Sequence, residues 1–288
     1  MKKFFALMLA LILCLALVAC GGTGVANDTD TKGDDSSADV AGDAVVADVA
    51  YLADQGKMVV GITYFEPLDF FVEEGKWVGF DAEVAEAVAA KLGVTAVFQE
   101  ISWEAKEAEL AAKHIDCIWN GLTITPARAE EMSISNPYMQ NKQVVVVRAE
   151  DADNYTDVSS FAGKVIAAEA GSAGEEVVLT QMADATYIEK GIQLDALTEV
   201  KAMTSDAAVI DFVMANYLIN KEGSDFADLK IIDMGLSEAE YYGIAFRKGS
   251  DLTAKVNEIL AELEADGTIA DIAAKYALND VLVPLSAN

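Results

Sequence analysis

Beyond Lys57 the chain alternates short runs rich in β-branched and aromatic residues with amphipathic stretches of helical period, and this alternation restrains its fold more than any other feature. The strand-like runs are Met58–Ile62, Thr95–Phe98, Ile115–Trp119, Gln143–Arg148, Lys164–Ala168, Ala207–Ile210, Leu229–Ile232 and Tyr242–Phe246. Several are apolar at successive positions, as strands covered on both faces must be. Between them, Asp81–Leu92 stacks Val84, Val88 and Leu92 four residues apart, with Asp81 predicted as its N-cap and Gly93 as its stop. Helices are also predicted over Ser205–Leu218, over Lys255–Glu264 with Val256, Ile259, Leu260 and Leu263 on one face, and from Ile269 to Tyr276. Alternating elements predict an α/β fold with mostly parallel sheets. No repeat with a period of about 20 to 50 residues is visible, which excludes a solenoid.

The N-terminal region has a different texture. Lys2 and Lys3 precede an apolar run from Phe4 to Val18 that is too short for a permanent membrane helix, so residues 1–19 are predicted to leave as a signal peptide. The run ends in Leu17-Val18-Ala19-Cys20, which resembles the bacterial lipobox. That resemblance implies cleavage before Cys20, a diacylglycerol on its sulfur, and a mature chain held by lipid on the outer, extracytoplasmic face of the cell membrane. An ordinary secretory signal with a chance cysteine would export the chain as well. Residues 20–56 follow, opening with Gly, Ala, Ser, Thr and Asp and almost no large apolar residue. Such a segment buries too little surface to offset its ordering entropy, and an acidic flexible linker is predicted, with at most a weak helix through Val45 to Leu52.

Charge and rare residues exclude whole classes of function. The formal net charge is −28, or −30 once Lys2 and Lys3 are removed, and no basic patch offsets it. Nucleic acid and anionic lipid surfaces are therefore not expected as partners. Of the three cysteines, Cys14 leaves with the leader and Cys20 is the predicted lipidation site, so Cys117 has no partner for an intramolecular disulfide. Its strand-like setting reads as a buried small hydrophobe. His114 is the single histidine. No metal, no cofactor and no histidine relay are expected on this inventory.

The densest cluster of unusual residues is Trp119-Asn120-Gly121-Leu122-Thr123-Ile124-Thr125-Pro126-Ala127-Arg128. A strand gives way to a glycine that permits close backbone approach, then to an N-capping threonine and a proline at the first helical position. Arg128 in the first helical turn opposes the helix dipole. Either Glu130 or Glu131 compensates it, or an anionic ligand does.

Gly121-Leu122-Thr123-Ile124-Thr125-Pro126-Ala127-Arg128 resembles the Gly-x-Thr-x-Thr-x-x-Arg signature of family 3 extracellular solute-binding proteins, receptors of amino-acid ABC importers. Phe65-x-Pro67, Gly79-Phe80-Asp81, Ser135-x-Pro137-Tyr138, Gly171-Ser172, Asp206-Ala207 with Asp211, and Tyr242-Gly243-Ile244-Ala245-Phe246-x-Lys248-Gly249-Ser250 match the same family in order. The resemblance implies a two-lobed, type II periplasmic-binding-protein-like fold of two mixed sheets flanked by helices and joined by two crossing strands. Lobe 1 would comprise residues 57–141 and 242–288, and lobe 2 residues 142–241.

The same resemblance implies the ligand contacts. Arg128 would hold the α-carboxylate of an amino acid, aided by Thr123, the backbone of Gly121 and Leu122, and Ser172 from the second lobe; Asp211 would hold the α-ammonium. Phe65 and Trp103 would cover the ligand from opposite sides. Glu169 and Ile62 depart from residues common in relatives, and a cleft-facing Glu169 would favour a basic or amide side chain. The implied partners are the amino-acid ligand and the permease and ATPase subunits of an ABC importer, with the receptor a monomer that catalyses nothing. Two alternatives stand beside this: an enzyme on the same fold, similar to a dehydratase of cyclic carboxylates, and a sensor that serves a membrane signalling partner.

Overall fold

The computed structural model describes residues 45–73 and 75–285; the predicted signal peptide, Cys20 and the linker through residue 44 lie outside the described residues. The first body runs through α1 (Asp48–Gln55), β1 (Lys57–Ile62), β2 (Phe70–Glu73), β3 (Lys76–Val78), α2 (Phe80–Leu92), β4 (Thr95–Glu100), α3 (Lys106–Ala111), β5 (Cys117–Thr123), α4 (Pro126–Glu131), β6 (Met132–Ile134) and β7 (Met139–Asn141). A second body follows from β8 (Gln143–Arg148), β9 (Val165–Glu169), α5 (Ala173–Gln181), β10 (Thr186–Lys190), α6 (Gln193–Lys201), β11 (Ala207–Asp211), α7 (Phe212–Asn220) and β12 (Leu229–Ile232). The chain then returns to the first body with β13 (Glu240–Arg247), α8 (Leu252–Ala265) and α9 (Thr268–Lys275).

Each lobe is an α/β layer structure around a mixed sheet. In lobe 1 the order is β4-β1-β5-β13-β6, with β7 also on β13; β1 is parallel to β4 and β5, whereas β13 runs antiparallel to β5, β6 and β7. In lobe 2 the order is β10-β9-β11-β8-β12, parallel across β10, β9 and β11 and antiparallel where β8 meets β11 and β12. The expectation of mostly parallel sheets is corrected here. Strands that enter a lobe from the other lobe arrive without a crossover helix of their own, and so are free to pair antiparallel. The two connections lie side by side, with Asn141 opposite Glu240 and Met139 opposite Tyr242.

Alternation along β8 explains its unbroken apolar sequence. Val144 and Val146 join the largest core cluster, and Val145 and Val147 pack on the opposite face with Phe161, Val177, Val178 and Met182. Both faces are covered, so period two carries no polar residue. In α2, Val84 and Val88 turn into the lobe 1 core, and Gly93 ends the helix in the left-handed conformation.

Three local expectations differ from the structure. Gly79, not Asp81, precedes α2, and the Asp81 carboxylate turns inward to accept the Gly121 N–H at 2.9 Å and the Tyr138 hydroxyl at 2.7 Å. The helix predicted over Ser205–Leu218 is strand β11 up to Asp211 and helix only from Phe212, because a short apolar run reads equally as buried strand or buried helix. Residues 45–56 are not linker. Val46 bridges Ser250, Leu52 is buried, and Asp48 of α1 receives Arg247 through Nε at 3.0 Å and Nη2 at 2.9 Å. Arg247 also reaches Asp116 at 3.2 Å and is only 7% exposed, so a charge pair distant in sequence docks α1 onto lobe 1.

Candidate functional site

Strand β5 is buried along its whole length and delivers Asn120, Gly121 and Thr123 to the gap between the lobes. Gly121 has φ +59, and a Cβ there would lie 2.6 Å from Phe65 Cε1, so the position needs glycine both for its backbone and for the aromatic ring beside it. Thr125 then caps α4 by accepting the Arg128 N–H at 3.2 Å, with Pro126 at the first helical position, as the sequence predicts.

The Arg128 side chain turns away from Glu130 and Glu131 and into the gap. Its Nη1 donates to the Thr123 carbonyl at 2.8 Å and its Nη2 crosses to the Gly171 carbonyl of lobe 2 at 3.1 Å. Among the described residues it makes no ion pair with a carboxylate, and desolvation lowers its pKa. A guanidinium held by two neutral carbonyls in a dry cleft is poised for an anion.

A tight cavity of about 10 Å³ lies between the lobes. Lobe 1 lines it with Phe65, Trp103, Asn120, Gly121, Thr123 and Arg128, and lobe 2 with Glu169, Ser172, Ala173, Gln193 and Asp211. Eight of the nine predicted ligand-contacting residues therefore meet in one cavity. Leu122, expected to contribute through its backbone, is not among the lining residues. Strand alternation points its side chain away from Gly121 and Thr123, into a core cluster with Leu110, Ile115 and Ile118. Ile62 is also core.

The lobe 2 wall is acidic. Asp211 ends β11, where Oδ1 accepts from Asn141 and from Gln143 Nε2 at 2.7 Å and Oδ2 accepts from Gln193. Burial, reinforced by the charge of Glu240, pushes its carboxyl up to about 6. Glu169 is 3% exposed, and its Oε1 has no hydrogen-bond partner. Burial and the neighbouring Asp211 push it up to about 8. Ser172 caps α5 by accepting the Glu175 N–H at 3.1 Å, which leaves its hydroxyl proton available to the cavity.

The sequence reading missed Asn120, Ala173 and Gln193 as lining residues, and Gln143 and Glu240 behind them. Glu240 Oε2 accepts from Gln143 Nε2 at 2.9 Å and from Thr123 Oγ1 at 3.3 Å, so the two connecting strands carry a polar chain from Thr123 to Asp211. A signal was present in Asn141 and Gln143, polar residues bracketing the entry to an otherwise apolar strand. Cys117 is buried, with its thiol pushed up by desolvation, and exposed His114 pairs with Glu109 at 2.8 Å, away from the cavity. Among the described residues no group of three His, Cys, Asp or Glu side chains could hold a metal ion, and no helix is long and apolar enough to cross a membrane.

Comparison with known proteins agrees with this geometry. Residues 58–279 match the family model of bacterial extracellular solute-binding proteins, family 3. The arginine-binding extracellular protein ArtP of Bacillus subtilis is 26% identical over 96% of this chain and 98% of its own length. A probable histidine-binding protein of Neisseria gonorrhoeae is 30% identical over 96% of each chain. The crystal structure of an ABC uptake transporter substrate-binding protein from Streptococcus pneumoniae with bound histidine superposes with a TM-score of 0.74 and 31% identity, covering 81% of this chain and 97% of that one. The first two are named for binding arginine and histidine, and the third as a transporter substrate-binding protein with bound histidine. A type II two-lobed fold, a cleft with a guanidinium that has no carboxylate partner on one lobe and carboxylates on the other, and a family match over most of the chain lead to one conclusion: this chain belongs to the bacterial extracellular solute-binding proteins, family 3.

Proposed function

We propose that the chain is an extracytoplasmic receptor that clamps an L-amino acid with a basic side chain between its lobes and delivers it, unaltered, to the permease and ATPase of an ABC importer. The observation that carries this reading is the charge arrangement of the cavity. Arg128 faces it without a carboxylate partner, while Asp211 and Glu169 face it from the opposite lobe. An α-carboxylate matches the guanidinium and an α-ammonium matches Asp211, each charge-assisted hydrogen bond contributing about 1.5 to 3 kcal/mol. That leaves Glu169 as a buried acceptor that a cationic side chain would satisfy. Phe65 and Trp103 line the walls, where they would exclude water from the aliphatic part of the ligand. The arginine- and histidine-binding relatives support the same class of ligand. A lipid on Cys20 would keep the receptor beside its permease, and Cys20→Ser should release the protein into the medium or periplasm.

The test is a thermal-shift screen of the leaderless protein against the common amino acids, followed by recovery of the bound compound. A ligand at 100 times its dissociation constant adds about 2.7 kcal/mol of stability. Arginine, lysine or histidine should give the largest shift and be recovered intact. A flat screen, or recovery of a chemically altered product, would overturn the assignment.

A further inference from the structure

Lys106 opens α3 in lobe 1, beside the cavity but outside its lining, with a side chain only 3% exposed. An ammonium in such a place is costly without compensation. Its Nζ donates to the Trp103 carbonyl in its own turn at 3.1 Å and to the Gly171 carbonyl of lobe 2 at 3.0 Å. It also lies 3.2 Å from Glu107 Oε1 and 4.8 Å from the Trp103 ring centroid. Arg128 Nη2 donates to the same Gly171 oxygen. Two cations from lobe 1 thus converge on one carbonyl of lobe 2, in the loop between Glu169 and Ser172. At Gly171, φ is +70 and a Cβ would lie 3.0 Å from the Glu104 Cα, so the loop meets the lobe 1 turn closely.

We propose that Lys106 is a positioning residue that latches the lobes over the bound amino acid, its grip on the Gly171 carbonyl being strengthened when a ligand carboxylate lies against Arg128. The inference rests on the amino-acid reading of the cleft. Two neighbouring cations repel, and the proximity of Arg128 adds to the burial that lowers the Lys106 pKa. One carbonyl oxygen is shared between them, the Glu107 side chain paired with Lys106 is 41% exposed and therefore screened, and the remaining carboxylates, Glu169 toward Lys106 and Asp211, Glu176 and Glu240 toward Arg128, act through space without an ion pair. The ligand carboxylate supplies the missing negative charge beside the guanidinium. Opening the cleft breaks the bond to Gly171, so an empty receptor favours reopening and a filled one stays shut. The ligand acts by preferring one of two states.

Lys106→Met keeps the length of the side chain and removes its charge. With L-arginine as probe, stopped-flow release should be about 10- to 100-fold faster in this variant, the range expected for losing a hydrogen bond from a charged group, with association little changed because the latch forms after encounter. Small-angle scattering at saturating arginine should show a smaller closed fraction. Unchanged release and an unchanged closed fraction would overturn the latch alone, whereas failure of the wild-type protein to bind arginine, lysine or histidine would overturn the cleft reading and the latch together. A measurement on the wild-type chain removes any dependence on the variant's folding. Reductive methylation mapped by mass spectrometry should modify Lys106 in the empty protein and spare it at saturation, with exposed Lys113 as the internal reference; equal modification of Lys106 in both states would refute the proposal.

Discussion

Replacing Glu169 by glutamine should convert a receptor selective for cationic side chains into one that accepts their neutral isosteres. In the closed cleft the carboxyl has an unpartnered oxygen and is pushed from its ordinary 4.5 to about 8, by burial first and by Asp211 second. With the lobes apart the same group would meet water, which removes the burial that raises it. Closing over a neutral side chain such as that of citrulline therefore forces Glu169 to take up a proton. At 1.36 kcal/mol per pH unit above the ordinary value, that step costs about 3 kcal/mol at pH 7. A guanidinium keeps the carboxylate ionised and avoids the cost. Arginine should thus bind on the order of 100-fold more tightly than citrulline at pH 7.

The sign follows from proton uptake. Because closure raises the pKa, this linkage holds citrulline affinity at its plateau below about pH 4.5, lowers it as the pH rises and levels off above about 8, while arginine affinity stays nearly flat across that window. In Glu169→Gln the ratio of the two affinities should lose both its size and its pH dependence. Isothermal titration calorimetry at pH 5 and pH 8, in two buffers of different ionisation enthalpy, counts the protons directly. Closure over citrulline without proton uptake, together with an unchanged ratio in the variant, would refute the reasoning.

Arg128→Ala should weaken every amino acid by about 2 to 5 kcal/mol regardless of side chain, since a desolvated carboxylate loses its counter-charge; calorimetry at pH 7 checks it, and near-native affinity would remove Arg128 from the site. Arg247→Met leaves Asp48 and Asp116 buried without their cation and should cost about 3 to 5 kcal/mol in urea unfolding, with little effect on ligand ranking. For the same reason, a chain beginning at residue 57 should melt at a lower temperature than one beginning at residue 45, because it lacks Asp48 and Leu52.

Much of the architecture was legible because local signals and burial agree. Val144 to Val147 read as a covered strand and pack on both faces; Val84 and Val88 read as one helical face and turn to one core. Thr125 and Pro126 announce the start of α4 in the residues themselves, and the helix begins there. Legibility failed where a residue answers to a distant partner. Asp48 sits in a stretch composed like a linker, yet it is buried against Arg247, 199 residues away. Thr186–Lys190 pairs only with β9 at a sheet edge, half exposed and rich in charge, so its apolar pattern is too faint to mark a strand.

The cleft divides along the same line. Sequence alone determined which residue types reach it from β5, because strand period and cap chemistry act over a few neighbours and fix where Gly121, Thr123 and Arg128 stand relative to one another. Leu122 obeys the same period, and for that reason its side chain turns to the core. Tertiary structure alone decided that Arg128 would go without a carboxylate, that Glu169 would be dry with one oxygen unpartnered, and that Lys106 would reach Gly171. Those outcomes depend on how two separately built lobes approach, and the desolvation that gives each charge its meaning arises only when they meet.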